Sequence, residues 1–334
     1  MKTYTLKNTY KSGEDYSCDF PIDLVILWCD DTPEFRAKRI YWQNKLGLQQ
    51  DKNIIPERFE TVDELKYLLR SVEMYAPWIN HIFIVTDNQK PKWLNPKNEK
   101  VTIVDHTEFM PANTLPTFNS VALEAYLYKI PNLSEHFLYA NDDTMFSRPV
   151  KPQDFFDKNG NPIVRLRADF PFCGNNHAKQ VLHSYDVFEQ KQNIKIARRY
   201  HSHHNVDAYC KSYYIDTFNM FKEEFKRTGK HRFREDTDIQ RIIVSIVDVV
   251  KKRALLKILD KDNTDSDVLW NDNCCRRTDA PARTALICAN RPTKGIHAYL
   301  QYHYPYQSSF EVQQRTKATY KLFGFIPLLS VEEM

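Results

Sequence analysis

Four short runs constrain this chain more than any other feature: 22–29 (IDLVILWC), 81–87 (HIFIVTD), 101–106 (VTIVDH) and 136–142 (HFLYAND). Each is too short for an ordinary helix, rich in β-branched and aromatic residues, and apolar without alternation. Each therefore reads as a strand buried on both faces. Helical patterns lie between them. Residues 61–78 (TVDELKYLLRSVEMYAPW) offer Thr61 as N-cap with Glu64 three residues on, then Leu65, Leu68, Leu69, Val72 and Tyr75 on one face, stopped before Pro77. Residues 118–131 (FNSVALEAYLYKIP) repeat the idea and end at Pro131. Strands alternating with helices predict an α/β fold with a mostly parallel, doubly wound sheet, whose ligands bind beyond the carboxyl ends of the strands. The acidic residues follow that rule. Asp30 and Asp31 follow the first run, Asp87 ends the second, Asp105 nearly ends the third, and Asp142 with Asp143 ends the fourth.

Further along, a long helix is expected over 207–228, with Tyr213, Phe218, Phe221 and Phe225 as its apolar positions, and another over 237–259. No repeat and no linker divides the chain. It is read as one domain over 1–334, with a sheet core at about 20–170, a helical cap or insertion at about 200–260 and a C-terminal motif at about 285–315.

Composition narrows the function. With 42% hydrophobic and 13% aromatic residues the chain can build a packed core. Its 47 basic residues nearly balance 43 acidic ones, so the net charge of +4 asks for neither nucleic acid nor a strongly anionic membrane as partner. Seven glycines against seventeen prolines exclude a glycine-rich phosphate loop, so a bound phosphate must be held by side chains or metal. The opening residues, MKTYTLKNTYKSGEDYSCDF, carry no apolar signal segment. The longest aliphatic run, at 242–250, is interrupted by Asp248 and falls far short of the ~20 residues that span a bilayer. A soluble, cytosolic protein without an integral membrane segment is expected. Seven cysteines with no CxxC pair fit free thiols in a reducing compartment.

The residues that can carry chemistry sit in a few motifs. Asn141, Asp142 and Asp143 form a strand-end acidic cluster. Such a pair serves Mg²⁺ or Mn²⁺ when a diphosphate supplies the remaining oxygens, and it serves equally as an Asx-turn or helix N-cap. Arg58, Arg70, Arg148, Arg165 and Arg234 are candidate phosphate forks. Arg70, on the first amphipathic helix, reads by default as a solvated face residue. His201, His203 and His204 lie in RRYHSHHNVD, whose spacing does not suit structural zinc. One of them can act as a general base, or the stretch is a His-rich surface loop. Downstream, FREDTDIQ brings Arg234, Glu235, Asp236 and Asp238, which also suit an N-cap and acidic first turn.

Taken together, these stretches resemble the Stealth family of hexose-1-phosphate transferases. IDLVILWCDD resembles its first conserved region. RFETVDELKYLLRSVEMYAPWINHIFIVTDNQKPKWLN and LPTFNSVALEAYLYKIPNLSEHFLYANDDTMFSRPV together resemble its long second region. HNVDAYC with EEFKRTGKHRFREDTDIQ resembles the third, and LICANRPTKG with YPYQSSFE the fourth. The likeness runs from Ile22 to Glu311. It departs where Asp31 replaces a glycine, where Val206 replaces a proline, and where Arg291 replaces an aspartate.

The resemblance implies a Rossmann-like, GT-A-like sheet and a reaction in which an acceptor sugar hydroxyl attacks the phosphorus nearest the donor sugar of a UDP-sugar. UMP is released and a phosphodiester joins the sugars, in surface polysaccharide synthesis. Asp142 and Asp143 are then the metal ligands for Mg²⁺ or Mn²⁺. His204 is the general base, Arg234 neutralises the diphosphate, and Asp238 orients the histidine or an arginine. The substrate- and nucleotide-binding set is Asp23, Trp28, Arg58, Glu64, Arg70, Asp87, Asn119, Asn141 and Asn290. The partners implied are the UDP-sugar donor and an oligo- or polysaccharide acceptor. A lipid-linked acceptor would bring the bacterial enzyme transiently to the inner membrane face. A metal-dependent glycosyltransferase releasing UDP, and a non-catalytic polysaccharide-binding relative, are the rival readings.

Overall fold

The computed structural model describes residues 1–11, 16–51, 54, 58–59, 61, 64–95, 98–146, 149–168, 174–202, 206–259 and the backbone of 268–270. In chain order the elements are β1 (Lys2–Tyr4), β2 (Ile22–Leu27), α1 (Pro33–Lys45), α2 (Glu64–Tyr75), β3 (Ile82–Thr86), β4 (Val101–Asp105), α3 (Ser120–Glu124), β5 (His136–Asn141), β6 (Thr144–Phe146), β7 (Ile163–Arg167), α4 (Asn176–Gln192), β8 (Ile194–Ile196), β9 (His201–Ser202), β10 (Asp207–Cys210), α5 (Lys211–Met220), α6 (Lys222–Lys230), α7 (Ile242–Val250), β11 (Leu255–Leu259) and β12 (Val268–Trp270). The α/β class expected from the sequence is observed, with all four apolar runs as strands, but β4 is not buried on both faces as expected: it lies at the sheet edge and buries only Val104. Five strands hydrogen-bond in the order β10-β5-β2-β3-β4, and the sheet is mixed: β10 runs antiparallel to β5, with Asp207 opposite Tyr139. β2 and β3 are buried at every position, as strands covered on both faces should be.

Packing divides the chain into two compact units. Among the described residues, one comprises 1–25, 104–139 and 151–259; the other comprises 26–103, 140–150 and 268–270. In the first unit Phe137, Leu138, Tyr185, Phe188, Tyr214, Phe221 and Phe225 are fully buried around α4, α5 and α6. In the second, α2 lays Leu65, Leu68, Leu69 and Val72 into the core, the stripe expected from its 3.6-residue period.

Three expected helices are interrupted. The segment expected as one helix over 207–228 begins as strand β10, because the free edge of β5 takes up its first residues. It then breaks at Phe221, whose buried ring sits at φ −118°, ψ 34° between α5 and α6. The expected helix over 237–259 is helical only as α7. Lys252 takes a left-handed φ of 59°, and the chain continues as β11, parallel to β7 with Leu255 opposite Ile163. The helix expected over 118–131 is reduced to α3 and a 3₁₀ turn at Leu127–Lys129. The region of the expected helical cap thus also supplies strands: β9 and β11 flank β7 in a three-stranded sheet, and β10 joins the five-stranded one. Long-range strand pairing overrides local helical periodicity in both of its strand insertions.

Candidate active site

In the second unit the segment after β2 is built around charge. Thr32 N-caps α1, accepting from the Phe35 amide, and Pro33 follows at the first helical position. Asp31 is buried and meets Arg36 Nε at 2.7 Å and a terminal nitrogen of Arg39 at 3.2 Å, so its charge is neutralised within α1. Gln89 holds the preceding residue as a neighbouring strand would: its Oε1 accepts from the Asp30 amide at 3.0 Å, and its Nε2 donates to the Asp30 carbonyl. Lys38 pairs with Asp87 at 2.7 Å. Among these groups lies a cleft of about 520 Å³, lined by Trp28, Asp30, Lys38, Thr61, Asp87 and Trp93 among others. Indoles and carboxylates thus share its lining, groups of the kind that stack on rings and accept from hydroxyls.

The acidic motif lies in the same unit. Asn141 is the last residue of β5, and Asp142 and Asp143 form the turn into β6. The Phe146 amide donates to Ser71 Oγ on α2 at 3.0 Å, which fixes β6 against that helix. Asp142 is half-buried, and its carboxyl is held well above the usual carboxylate range by loss of solvent and by the negative charge of Glu64; the amides of the turn pull the other way. Glu64 is buried at the start of α2 and accepts from the Thr61 hydroxyl at 3.0 Å, so the expected capping pair meets side chain to side chain. Arg70 is buried on α2, 5.6 Å from the Tyr67 ring, and does not lie on a solvated face. Arg58 is half-buried. Among the described residues no group of three or more His, Cys, Asp or Glu side chains is placed to hold a metal ion.

The first unit carries a second polar cluster. Asp238 is fully buried and receives His231 Nδ1 at 2.6 Å, Asn119 Nδ2 at 2.8 Å, the Glu235 amide at 2.9 Å and Gln180 Nε2 at 3.3 Å. Asn119 also caps α3 through the Val121 amide. Residues 231–234 run along 114–120. Arg232 donates to the carbonyls of Thr114 and Pro116, Phe233 stacks on Phe118 at 5.1 Å, and Arg234 donates to Ser120 Oγ. Arg234 is therefore presented by a segment secured at both ends. Asp238 does not cap a helix: α7 begins only at Ile242, and Asp238 serves the loop before it. Asp23 is buried, its carboxylate accepting the Ser134 amide at 2.7 Å.

Of the residues singled out from the sequence, Trp28, Arg58, Glu64, Arg70, Asp87, Asn141, Asp142 and Asp143 belong to the second unit, and Asp23, Asn119, Arg234 and Asp238 to the first. His204 and Asn290 lie outside the described residues, as does Arg291. The sequence reading missed His231, Gln180 and Gln89. The only signal for His231 was its place seven residues before Asp238 in GKHRFREDTD.

The His231 imidazole is held above its ordinary pKa first by the Asp238 hydrogen bond, and then by the charges of Asp238 and Glu235, against its own burial and Arg227. A raised folded-state pKa contributes stability that is complete below the unfolded value of about 6.5 and fades as pH rises through the folded value. The stability advantage of the native chain over His231→Gln, measured by urea unfolding, should therefore shrink between pH 6 and pH 9. An advantage that grows with pH would contradict this pairing.

Residues 58–164 match the family described as Stealth protein CR2, conserved region 2. The exopolysaccharide phosphotransferase cps2G of Lactiplantibacillus plantarum is 33% identical over 250 residues, covering 66% of this chain and 72% of that protein. The exopolysaccharide phosphotransferase CpsY of Mycobacterium tuberculosis is 40% identical over 234 residues, covering 66% of this chain and 42% of that protein. The capsular polysaccharide phosphotransferase fcs1 of Haemophilus influenzae is 36% identical over 233 residues, with 62% of that protein covered. The chain thus spans less than half the length of CpsY. Among solved structures, the inositol-1-phosphate CTP transferase from T. maritima aligns over 92% of this chain and 98% of that one, at 13% identity and a TM-score of 0.41. No helix among the described residues is long and apolar enough to cross a membrane.

Proposed function

We propose that this chain, which belongs to the Stealth family, transfers a sugar-1-phosphate from a nucleotide sugar to a hydroxyl of an acceptor saccharide in the synthesis of a surface polysaccharide. The observation that carries this reading is the Asp142–Asp143 turn at the end of β5, inside the region matched to the family and facing the buried charge of Glu64. Relatives named as phosphotransferases support the same class of reaction.

In the reaction proposed, an acceptor oxygen forms a bond to the phosphorus nearest the donor sugar while the bond from that phosphorus to the nucleoside monophosphate breaks. With a UDP-sugar donor, UMP leaves. Such a transfer needs alignment and neutralisation of charge more than covalent help from the protein. Arg70, buried in the second unit, is assigned to the phosphate oxygens, and Arg234, secured by Ser120 in the first unit, is assigned a charge-neutralising role. Trp28 and Trp93 are assigned to the nucleoside, with Asp30 and Asp87 accepting from its hydroxyls. His204 is assigned the acceptor proton, and Asp238 with Asn119 keeps the Arg234 segment in place.

The acidic turn fits a hard cation, because the ionised form of Asp142 is disfavoured beside Glu64 until a positive charge is supplied. Asp142 and Asp143 would hold Mg²⁺ or Mn²⁺, two carboxylates being what such an ion takes when phosphates provide the rest. Bound there, the ion supplies neutralisation of the diphosphate.

Incubation of the full chain with Mg²⁺, a panel of UDP-sugars and saccharide acceptors should release UMP and give a phosphorus-containing product. Release of UDP with a phosphate-free product would make the chain a glycosyltransferase. Binding of donor without turnover would make it a saccharide-binding relative.

A further inference from the structure

A second cleft, wholly within the first unit, takes no part in the reaction as assigned. It measures about 400 Å³ and is lined by Tyr10, Lys11, Tyr16, Lys151, Gln153 and Lys158, with Asp154 and Asp157 on its wall. That volume lies in the range of ~300–1,000 Å³ of small-ligand sites.

Its walls are fixed from several sides. The Thr9 and Tyr10 amides both donate to the Leu256 carbonyl, at 2.9 and 3.0 Å, and the Leu256 amide returns a bond to Thr9 Oγ1 at 2.8 Å. The Tyr16 hydroxyl donates to the Phe156 carbonyl at 2.6 Å, and Gln153 donates to the Tyr16 carbonyl. A site held in this way loses little freedom on binding.

The charge in the cleft is unequally committed. The Asp157 carboxylate accepts the Asn159 and Asn161 amides at 2.8 Å each and Asn161 Nδ2 at 3.0 Å, and Asp154 accepts the Lys151 amide at 2.7 Å. Lys11, Lys151 and Lys158 form no salt bridge among the described residues, and the Lys257 ammonium stands 5.1 Å from the Tyr10 ring. The cleft therefore presents the ammonium groups of Lys11, Lys151 and Lys158 without a salt-bridge partner among the described residues, beside two tyrosines, while its carboxylates are turned into backbone turns. Ammonium groups hold phosphate as point charges, and aromatic faces and an amide suit sugar rings. None of the large exposed apolar side chains lines it, so it lacks the apolar contact a membrane surface requires.

We propose that this cleft is an additional saccharide site that binds a phosphodiester-linked, and so anionic, stretch of polysaccharide. The inference rests on the reading that the chain works on such a polymer. It makes Lys11, Lys151 and Lys158 the charge that holds the growing chain, with Tyr10 and Tyr16 as sugar platforms.

The test is calorimetric binding of a synthetic phosphodiester-linked oligosaccharide to the full chain, beside a neutral oligosaccharide of the same sugars. The lysines are exposed, so Lys151→Ala/Lys158→Ala should keep the fold. The anionic saccharide should bind this double variant about tenfold more weakly, and binding to the native chain should fall with added salt. In the transfer assay the same variant should show a raised KM for long acceptors with kcat held and transfer to a monosaccharide acceptor unchanged. Equal binding by native chain and variant would overturn the site, as would equal affinity for the neutral saccharide. Lysine-dependent binding to phosphatidylglycerol vesicles without saccharide binding would overturn it too. The two readings fail separately. UMP release with unaffected cleft variants removes the site alone. Lysine-dependent saccharide binding without UMP release from any donor removes the proposed reaction and leaves the site standing.

Discussion

Asp143→Asn should lower sugar-phosphate transfer by at least about 10³-fold, and the unfolding midpoint should barely move. The substitution preserves shape and removes charge at the turn between β5 and β6, where one Asp143 oxygen is already buried. Asparagine is at home in such a turn, so the backbone has little reason to shift. Asp142→Asn should show the same loss of activity together with a gain in stability, because Asp142 is half-buried against the like charge of Glu64 and that repulsion ends when the carboxylate becomes an amide. A residue that costs stability and is retained for activity has the behaviour expected of a site built for a ligand. Initial rates of UMP release and urea midpoints on the same preparations decide the matter. Full activity in either variant would remove the acidic turn from the reaction.

The parts of the fold legible in the sequence are those in which local pattern and tertiary demand agree. IDLVIL and IFIVT are strands by composition and are buried at every position. The leucine stripe of α2 predicts its buried face. What was misread depends on partners far away in the chain. Asp207–Cys210 pairs because β5 has an open edge some 70 residues earlier, and Leu255–Leu259 pairs because β7 does. Neither edge is visible from the residues that fill it. The site divides in the same way. The position of the ANDD turn was legible because the apolar run before it ends there, at the last residue of β5. His231 was not, since its role appears only when Asp238, Asn119 and Gln180 converge on one carboxylate. Arg70 was misread as solvated because one helical turn does not say which neighbours cover it.

Arg241→Met should destabilise the first unit by about 3–5 kcal/mol, the cost of leaving a buried charge cluster without its counter-ion. The Arg241 guanidinium is buried, meets Glu124 Oε1 at 3.1 Å and Asp207 Oδ2 at 2.9 Å, and lies 4.7 Å from the centre of the Tyr139 ring. Tyr139 donates its hydroxyl to Glu124 Oε1 at 3.0 Å, while Glu124 Oε2 is buried with no hydrogen-bond partner; the Arg241 guanidinium is shared by both carboxylates, and Arg165 adds a weaker positive field at Asp207. Methionine fills the volume without the charge. Burial already holds the Asp207 carboxyl above its usual range, with Arg241 pulling it down. Without Arg241 it rises further. A carboxyl raised in the folded state loses stability as pH climbs from its unfolded value, about 3.9, through the folded one. The deficit of Arg241→Met should therefore be largest near pH 8 and smaller near pH 5, where protonation relieves the cluster. Replacing Arg241, Glu124 and Asp207 together with Met, Gln and Asn should recover most of the loss, since an uncharged cluster needs no counter-ion. Typical domains are stable by only about 5–15 kcal/mol, so the single variant should melt well below the native chain. A loss under about 1 kcal/mol at pH 8 would show that the two carboxylates reach enough solvent to dispense with the arginine.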